Sequence, residues 1–128
     1  VEKQEFTTAS NLLGKEVVAM QGSFPIEGLV DRVVQKDGKV NVVVAHNLNG
    51  LSAGETINKD VVAEDLQGNI VQGRVDRLSY NGGIPSLILT DDLGGEVTVP
   101  FANVLKVTSN VKFSQIQEIR NVNESEAN

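Results

Sequence analysis

Lys15-Glu16-Val17-Val18-Ala19 returns further along the chain as Lys59-Asp60-Val61-Val62-Ala63, an offset of 44 positions (15 to 59). A second block, Ile26-Glu27-Gly28-Leu29-Val30-Asp31-Arg32-Val33, returns as Val71-Gln72-Gly73-Arg74-Val75-Asp76-Arg77-Leu78, now offset by 45 (26 to 71). One residue is therefore inserted between the blocks. The correspondence runs on from Lys36-Asp37-Gly38-Lys39 to Asn81-Gly82-Gly83-Ile84, and from Val42-Val43-Val44 to Leu87-Ile88-Leu89. Order, spacing and chemistry recur together, which marks an internal duplication.

The repeated unit reads as strands. Valine dominates its apolar positions, and β-branched side chains suit a pleated surface better than a helix. Asp37-Gly38 and Asn81-Gly82 are hairpin signals, because these residues tolerate the positive φ of the primed two-residue turns. The second copy continues with the alternating Glu96-Val97-Thr98-Val99, then Pro100, then Val104-Leu105-Lys106-Val107, which makes about five strands. In the first copy the closing strands are expected at Glu55 to Ile57 and at Val61-Val62, which is also where the second copy opens, so that the two modules either share a strand or abut directly. Five short, bent strands of this kind predict an all-β chain built of two tandem small SH3-like β-barrel modules. The expected boundaries are an N-terminal helical segment over 1–13, a first β module over 14–57, a second over 58–107 and a C-terminal tail over 108–128.

Asn47 to Gly54 is rich in Asn, Gly and Ser and reads as a loop. Phe6, Ala9, Leu12 and Leu13 recur at roughly helical spacing, so a helix is expected over Glu5 to Leu13, stopped by Gly14. Val111, Phe113, Ile116 and Ile119 fit either a short helix or a strand. Asn121 to Asn128 is polar and is expected to be disordered.

Composition narrows the function. The 128 residues are 40% hydrophobic but only 4% aromatic, so the core is aliphatic. Eleven basic against seventeen acidic residues give a net charge of -6, which repels a phosphate backbone and argues against nucleic acid. The absence of cysteine excludes disulfides, thiolate metal sites and a cysteine nucleophile. No apolar run approaches the ~18 residues that span a bilayer, so no membrane insertion is expected, and the acidic start does not read as a signal peptide.

Catalytic chemistry finds little purchase. Triad-type catalysis needs a base beside a nucleophile, and the one histidine, His46, ends a predicted strand beside an Asn-rich loop. A hydrolase or metal enzyme using His46 with Asp91 or Asp92 is the catalytic alternative. Glu64-Asp65 and Asp91-Asp92 sit beside glycine-containing turns, where such side chains bond their own backbone, and the run Asp91 to Glu96 lacks EF-hand spacing. The Asn81-Gly82-Gly83 and Gly94-Gly95 stretches lack the Lys and Ser/Thr of a phosphate loop. No catalytic residue, cofactor or metal ligand is therefore predicted. Protein contact is assigned instead to the duplicated pairs Asp31-Arg32 and Asp76-Arg77, and to Phe113 and Ile116 of the tail.

Leu12-Leu13-Gly14-Lys15-Glu16-Val17, followed by Gly28-Leu29-Val30-Asp31-Arg32-Val33 and the Lys36-Asp37-Gly38-Lys39-Val40 turn, resembles the segment of the flagellar hook-capping (hook-assembly scaffold) proteins that follows their N-terminal helices. The resemblance covers roughly residues 9–44. Related modules look like parts of phage tails and baseplates. Gly14 to Val17 and Val99-Pro100-Phe101 are also similar to PRC-barrel domains, although Glu27 stands before Gly28 where that family has isoleucine. These resemblances imply a non-catalytic structural protein acting through protein-protein contacts, a homo-oligomer with other subunits of a hook cap or phage tail, or else a PRC-barrel-like adaptor. They imply residence in a bacterial flagellum or phage virion, with a cytoplasmic stage before assembly.

Overall fold

The computed structural model describes residues 2–120. Its elements are helix α1 (Glu2–Ser10) and strands β1 (Glu16–Gln21), β2 (Phe24–Lys36), β3 (Lys39–Ala45), β4 (Asp60–Glu64), β5 (Ile70–Asn81), β6 (Ile84–Thr90), β7 (Glu96–Pro100), β8 (Val104–Lys112) and β9 (Ile116–Arg120). Short 3₁₀ turns occupy Ala53–Thr56, Phe101–Asn103 and Phe113–Gln115. The fold is all-β, and its strand ladders are antiparallel.

The chain divides into two compact units, one of Val1–His46 with Ser109–Asn128, the other of Asn47–Thr108. The modules are thus not laid end to end, as the expected division at 57/58 had it; the first is discontinuous and the second lies within it along the chain. In the first unit the strand order is β8-β3-β2-β1-β9, with residues 109–112 as its share of β8. In the second the order is β7-β6-β5-β4-β8, with residues 104–108 as its share.

This division corrects three expectations. Glu55 to Ile57 is no strand, because Ala53–Thr56 forms a 3₁₀ turn in which the buried Thr56 hydroxyl donates to the Ala53 carbonyl at 2.6 Å. Val61-Val62 opens the second module, as expected, but does not also close the first; it belongs to β4 and pairs with β5 and with β8 of its own unit. The first unit is closed by residues 109–112 and β9, so residues 109–120 of the expected tail are strands and a 3₁₀ turn. Asn121 to Asn128 lies outside the described residues.

The duplication is consequently larger than its offsets of 44 and 45. Val99-Pro100-Phe101-Ala102-Asn103-Val104 has a counterpart in Val111-Lys112-Phe113-Ser114-Gln115-Ile116, at an offset of 12 (99 to 111). In both, an end of strand runs into a 3₁₀ turn and then into a strand that pairs with the first strand of its unit. The register of that last pairing breaks at matching places, Val18/Ala19 and Val62/Ala63. The cores match as well: Val17, Ala19, Val30, Val42, Val44 and Val111 are buried in the first unit, and Val61, Ala63, Val75, Leu87, Leu89 and Val99 in the second. Each such valine or leucine contributes roughly 1.5–3 kcal/mol by leaving water.

A helical turn precedes each first strand and buries an alanine, Ala9 or Ala53. Helix α1 ends at Ser10 rather than Leu13, because the carbonyls of Thr8, Ala9 and Ser10 accept bonds from Asn11, Leu12 and Leu13, which tightens the last turn. Gly14 then enters the left-handed region (φ 79°), and its N–H donates to the Val30 carbonyl at 3.0 Å. Asn58 does the same in the second unit (φ 68°), bonding to Val75 at 2.8 Å. Of the two hairpin turns, Asp37-Gly38 is where expected, whereas the second is Gly82-Gly83, with Asn81 paired to Ile84.

The long strands β2 and β5 each serve two ladders. β2 pairs with β1 up to Leu29 and with β3 from Leu29 onward; β5 pairs with β4 up to Arg74 and with β6 from Arg74 onward. The residue before each shared position is a glycine, and a Cβ there would collide with a carbonyl of the neighbouring strand. At Gly28 it would overlap the Ala45 oxygen, and at Gly73 it would stand 2.7 Å from the Thr90 oxygen. Because both obstacles are backbone, the strand must shift to make room. Gly28→Ala is expected to destabilise the first unit by at least about 1–3 kcal/mol, the usual cost of overpacking, and Gly73→Ala the second unit by less. Denaturant titration checks this, and unchanged midpoints would refute the corner.

The described ends of the first unit's two pieces lie together, since His46 Nε2 and Ser109 Oγ are 2.6 Å apart. Replacing Asn47–Thr108 by a short Gly/Ser linker is therefore expected to leave a chain that still unfolds cooperatively. Circular dichroism with thermal melting tests it, a broad or absent transition being the contrary result.

Candidate functional site

The duplicated Asp-Arg pairs occupy equivalent irregularities. In the β2–β3 ladder Val30 pairs with Val44 and Arg32 with Val43, leaving Asp31 as the extra residue of a bulge. In the β5–β6 ladder Val75 pairs with Leu89 and Arg77 with Ile88, leaving Asp76 extra. A bulge increases local twist and re-aims side chains, so the recurrence of this pair has a geometric cause before any functional one. Arg32 Nε lies 3.5 Å from Asp31. Arg77 is more engaged, donating to Asp76 at 2.7 Å and to Glu96 of β7 at 2.9 and 3.4 Å. The two carboxylates, Glu96 first, raise the pKa of the Arg77 guanidinium. All of these groups are at least partly open to water, where such pairs do little for stability.

Phe113 and Ile116 are placed differently. Both are half-buried and pack against the core of the first unit, Phe113 from the 3₁₀ turn and Ile116 from the start of β9. The six residues assigned to protein contact thus do not form one surface; four lie at two bulges and two support a core.

His46 Nε2 is in contact with the hydroxyl of Ser109, a residue that is buried at 7% exposure. The pair joins the end of β3 to β8. Asp65 and Asp91 are likewise used locally: Asp65 Oδ1 accepts from the N–H groups of Gln67 and Asn69, and Asp91 Oδ1 from those of Leu93 and Gly95, all within 2.9 Å. These carboxylates hold turns. Among the described residues no group of three or more His, Asp or Glu side chains is placed to hold a metal ion, and no helix is long and apolar enough to cross a membrane.

Sequence reasoning missed the corner beside each long strand. In the second unit a surface cleft of about 410 Å³ opens there, lined by Asp60, Gln72, Arg74, Thr90 and Asp92 among others. At the matching corner of the first unit Glu16, Glu27 and Leu29 replace Asp60, Gln72 and Arg74, and the two glutamates hold a guanidinium. Arg120 Nη1 donates to Glu16 and to Glu27, each at 2.9 Å, and its Nε donates to Glu118 at 3.1 Å. These bonds, Glu118's foremost, push the Arg120 pKa further up. The second unit has Thr108 where the first has Arg120, again at an offset of 12 (108 to 120). That offset, visible in the sequence, would have located the difference.

No protein-family model, curated protein or solved structure matches the chain.

The placement of Phe113 separates support from contact. Phe113→Ala is expected to lower stability by about 1–3 kcal/mol, less than a fully buried phenylalanine would lose, while Arg32→Ala leaves it within about 0.5 kcal/mol. Paired urea titrations decide, and equal midpoint shifts would contradict the assignment.

Proposed function

We propose that each unit is a small SH3-like barrel module and that the chain is a non-catalytic assembly protein, a scaffold or component of a flagellar hook cap or a phage tail or baseplate. The strand order supports the module reading: numbered within a unit, the strands run fourth, third, second, first, fifth, with a 3₁₀ turn before the last. The observation that carries the assembly reading is how the polar side chains are used. His46, Asp65, Asp91, Arg77 and Arg120 are tied to a strand end, to turns and to strand edges, in a duplicated frame whose variation lies on its surface. The hook-cap-like run Leu12 to Val17 stands at the turn into β1 and agrees with this role.

Exposed apolar groups add contact area. Phe24 at the start of β2, Tyr80 and Ile84 near the Gly82-Gly83 turn, and Leu66 and Leu93 in turns of the second unit are all at least 63% exposed. Single exposed hydrophobes are ordinary; at turns of a repeated module they are positions where a neighbouring subunit can gain area. A PRC-barrel-like adaptor is the second reading, favoured by Pro100 and Phe101, which end β7 and open the 3₁₀ turn leading to β8.

Mixing the purified chain with hook, rod and tail proteins is expected to give a co-eluting complex. The double variant Arg32→Glu, Arg77→Glu should bind more weakly while keeping its circular dichroism spectrum. A chain that stays monomeric and binds none of these proteins would sink the assembly reading.

A further inference from the structure

We infer that β9 is a detachable strand, held to β1 by a short backbone ladder and the Arg120 clamp, whose release frees the β1 edge for an incoming strand of an assembly partner. The comparison that carries this is between β9 and its counterpart, the 104–108 part of β8. Both pair with the first strand of their unit and both carry the same register break. Their burial differs: Val107 and Thr108 are buried at 0% and 8% exposure, whereas the matching Ile119 and Arg120 are exposed, Ile119 by 52%. Of the five residues of β9, Ile116 alone packs against the core. Among the described residues the ladder order ends at β9, which pairs with β1 and with no second strand.

What compensates for this poor burial is electrostatic. One guanidinium gathers Glu16 of β1, Glu27 of β2 and Glu118 of β9 itself. Exposed ion pairs of this kind are screened by salt and are individually weak. Without Arg120, three carboxylates would face one another. Losing β9 would withdraw Ile116 from the core, while β1 stays anchored through Val17 and Ala19 and through its full pairing with β2. An open β1 edge presents unpaired backbone groups, the usual template for strand addition. The edge also states what it accepts: an extended segment with a basic residue opposite Glu16 and an apolar one opposite Val17, the pattern β9 itself provides.

The purpose of the release rests on the assembly reading; the release itself does not, and hydrogen exchange on the full chain separates the two. Amides of 116–120 are expected to exchange at least about tenfold faster than those of 104–108, as local opening at low free energy requires. Added salt should speed exchange in the wild type by screening the clamp. In Arg120→Gln, exchange should start faster, and salt should slow it by screening the remaining carboxylates. A Val18→Cys, Glu118→Cys variant places cysteines on residues opposite each other. Oxidation should slow exchange in β9 and reduce partner capture relative to the reduced form of the same variant. Exchange in 116–120 as slow as in 104–108, or indifferent to both salt and oxidation, would overturn the inference. Fast, clamp-dependent exchange with equal partner capture by both forms would overturn the strand-addition step and leave the assembly reading to its own binding test.

Discussion

Everything in each unit turns on a missing methyl group. A strand can serve two ladders only if it bends where it passes from one partner to the next, and the bend brings its backbone against a carbonyl of the third strand. At Gly28 and Gly73 that approach is too close for any Cβ. Three positions after the glycine the bend is completed by a bulge, with Asp31 or Asp76 as the extra residue. Between glycine and bulge stands the valine, Val30 or Val75, that enters the core and exchanges backbone bonds with the residues leading into the first strand. The run Gly-x-Val-Asp-Arg is therefore one mechanical device, and its recurrence needs no ligand to account for it.

Given that shared device, the informative positions are those where the copies part. Val42 and Val44 become Leu87 and Leu89, an exchange of one apolar residue for another that keeps the same strand face buried. The corner beside the shared residue changes in kind. In the first unit Arg120 brings a cation held by three carboxylates, while in the second Thr108 stands in place of the arginine and a cleft lined by Asp60, Gln72 and Arg74 opens beside the long strand. Charge that is this exposed adds little to folding. Its effect is on which strand pairs with β1 and how long it stays.

Much of the fold was legible because period, turn chemistry and repetition agreed with one another. The hairpin at Asp37-Gly38 needed positive φ at two successive residues, and Asp-Gly supplies it. The strands β1 to β7 followed from alternation and valine content. What misled was the inserted unit. The residues after β3 look like the closure of the first module because closure by nearby chain is the ordinary case, and Glu55 to Ile57 has the composition of a short strand. The actual closure comes from Ser109 onward, and only the likeness between the run from Val99 to Val104 and the run from Val111 to Ile116 records it. Phe113 misleads for the same reason: within a tail an aromatic residue looks available for contact, whereas in a closing turn it packs against the core. The Asp-Arg pairs were found by repetition, but periodicity could not announce a bulge, since an extra residue shows only against its partner strand.

Closure by a distant segment has a physical consequence of its own. The first unit cannot complete its ladder until the chain has passed through the whole of Asn47–Thr108, so β9 carries a larger loop-closure entropy than β8 does within the second unit. That entropy grows slowly with length, and a compact second unit with its ends drawn together shortens the effective loop. The hydrogen bond between His46 and Ser109 stands where that loop begins and ends. Once residues 109–112 have joined β3, with Val111 in the core, most of that entropy has been lost, and β9 itself adds Ile116, a few backbone bonds and the Arg120 clamp. The last strand to close is thus also the one whose detachment disturbs least, which is the property a protein needs if one of its strands is to be exchanged for a partner's.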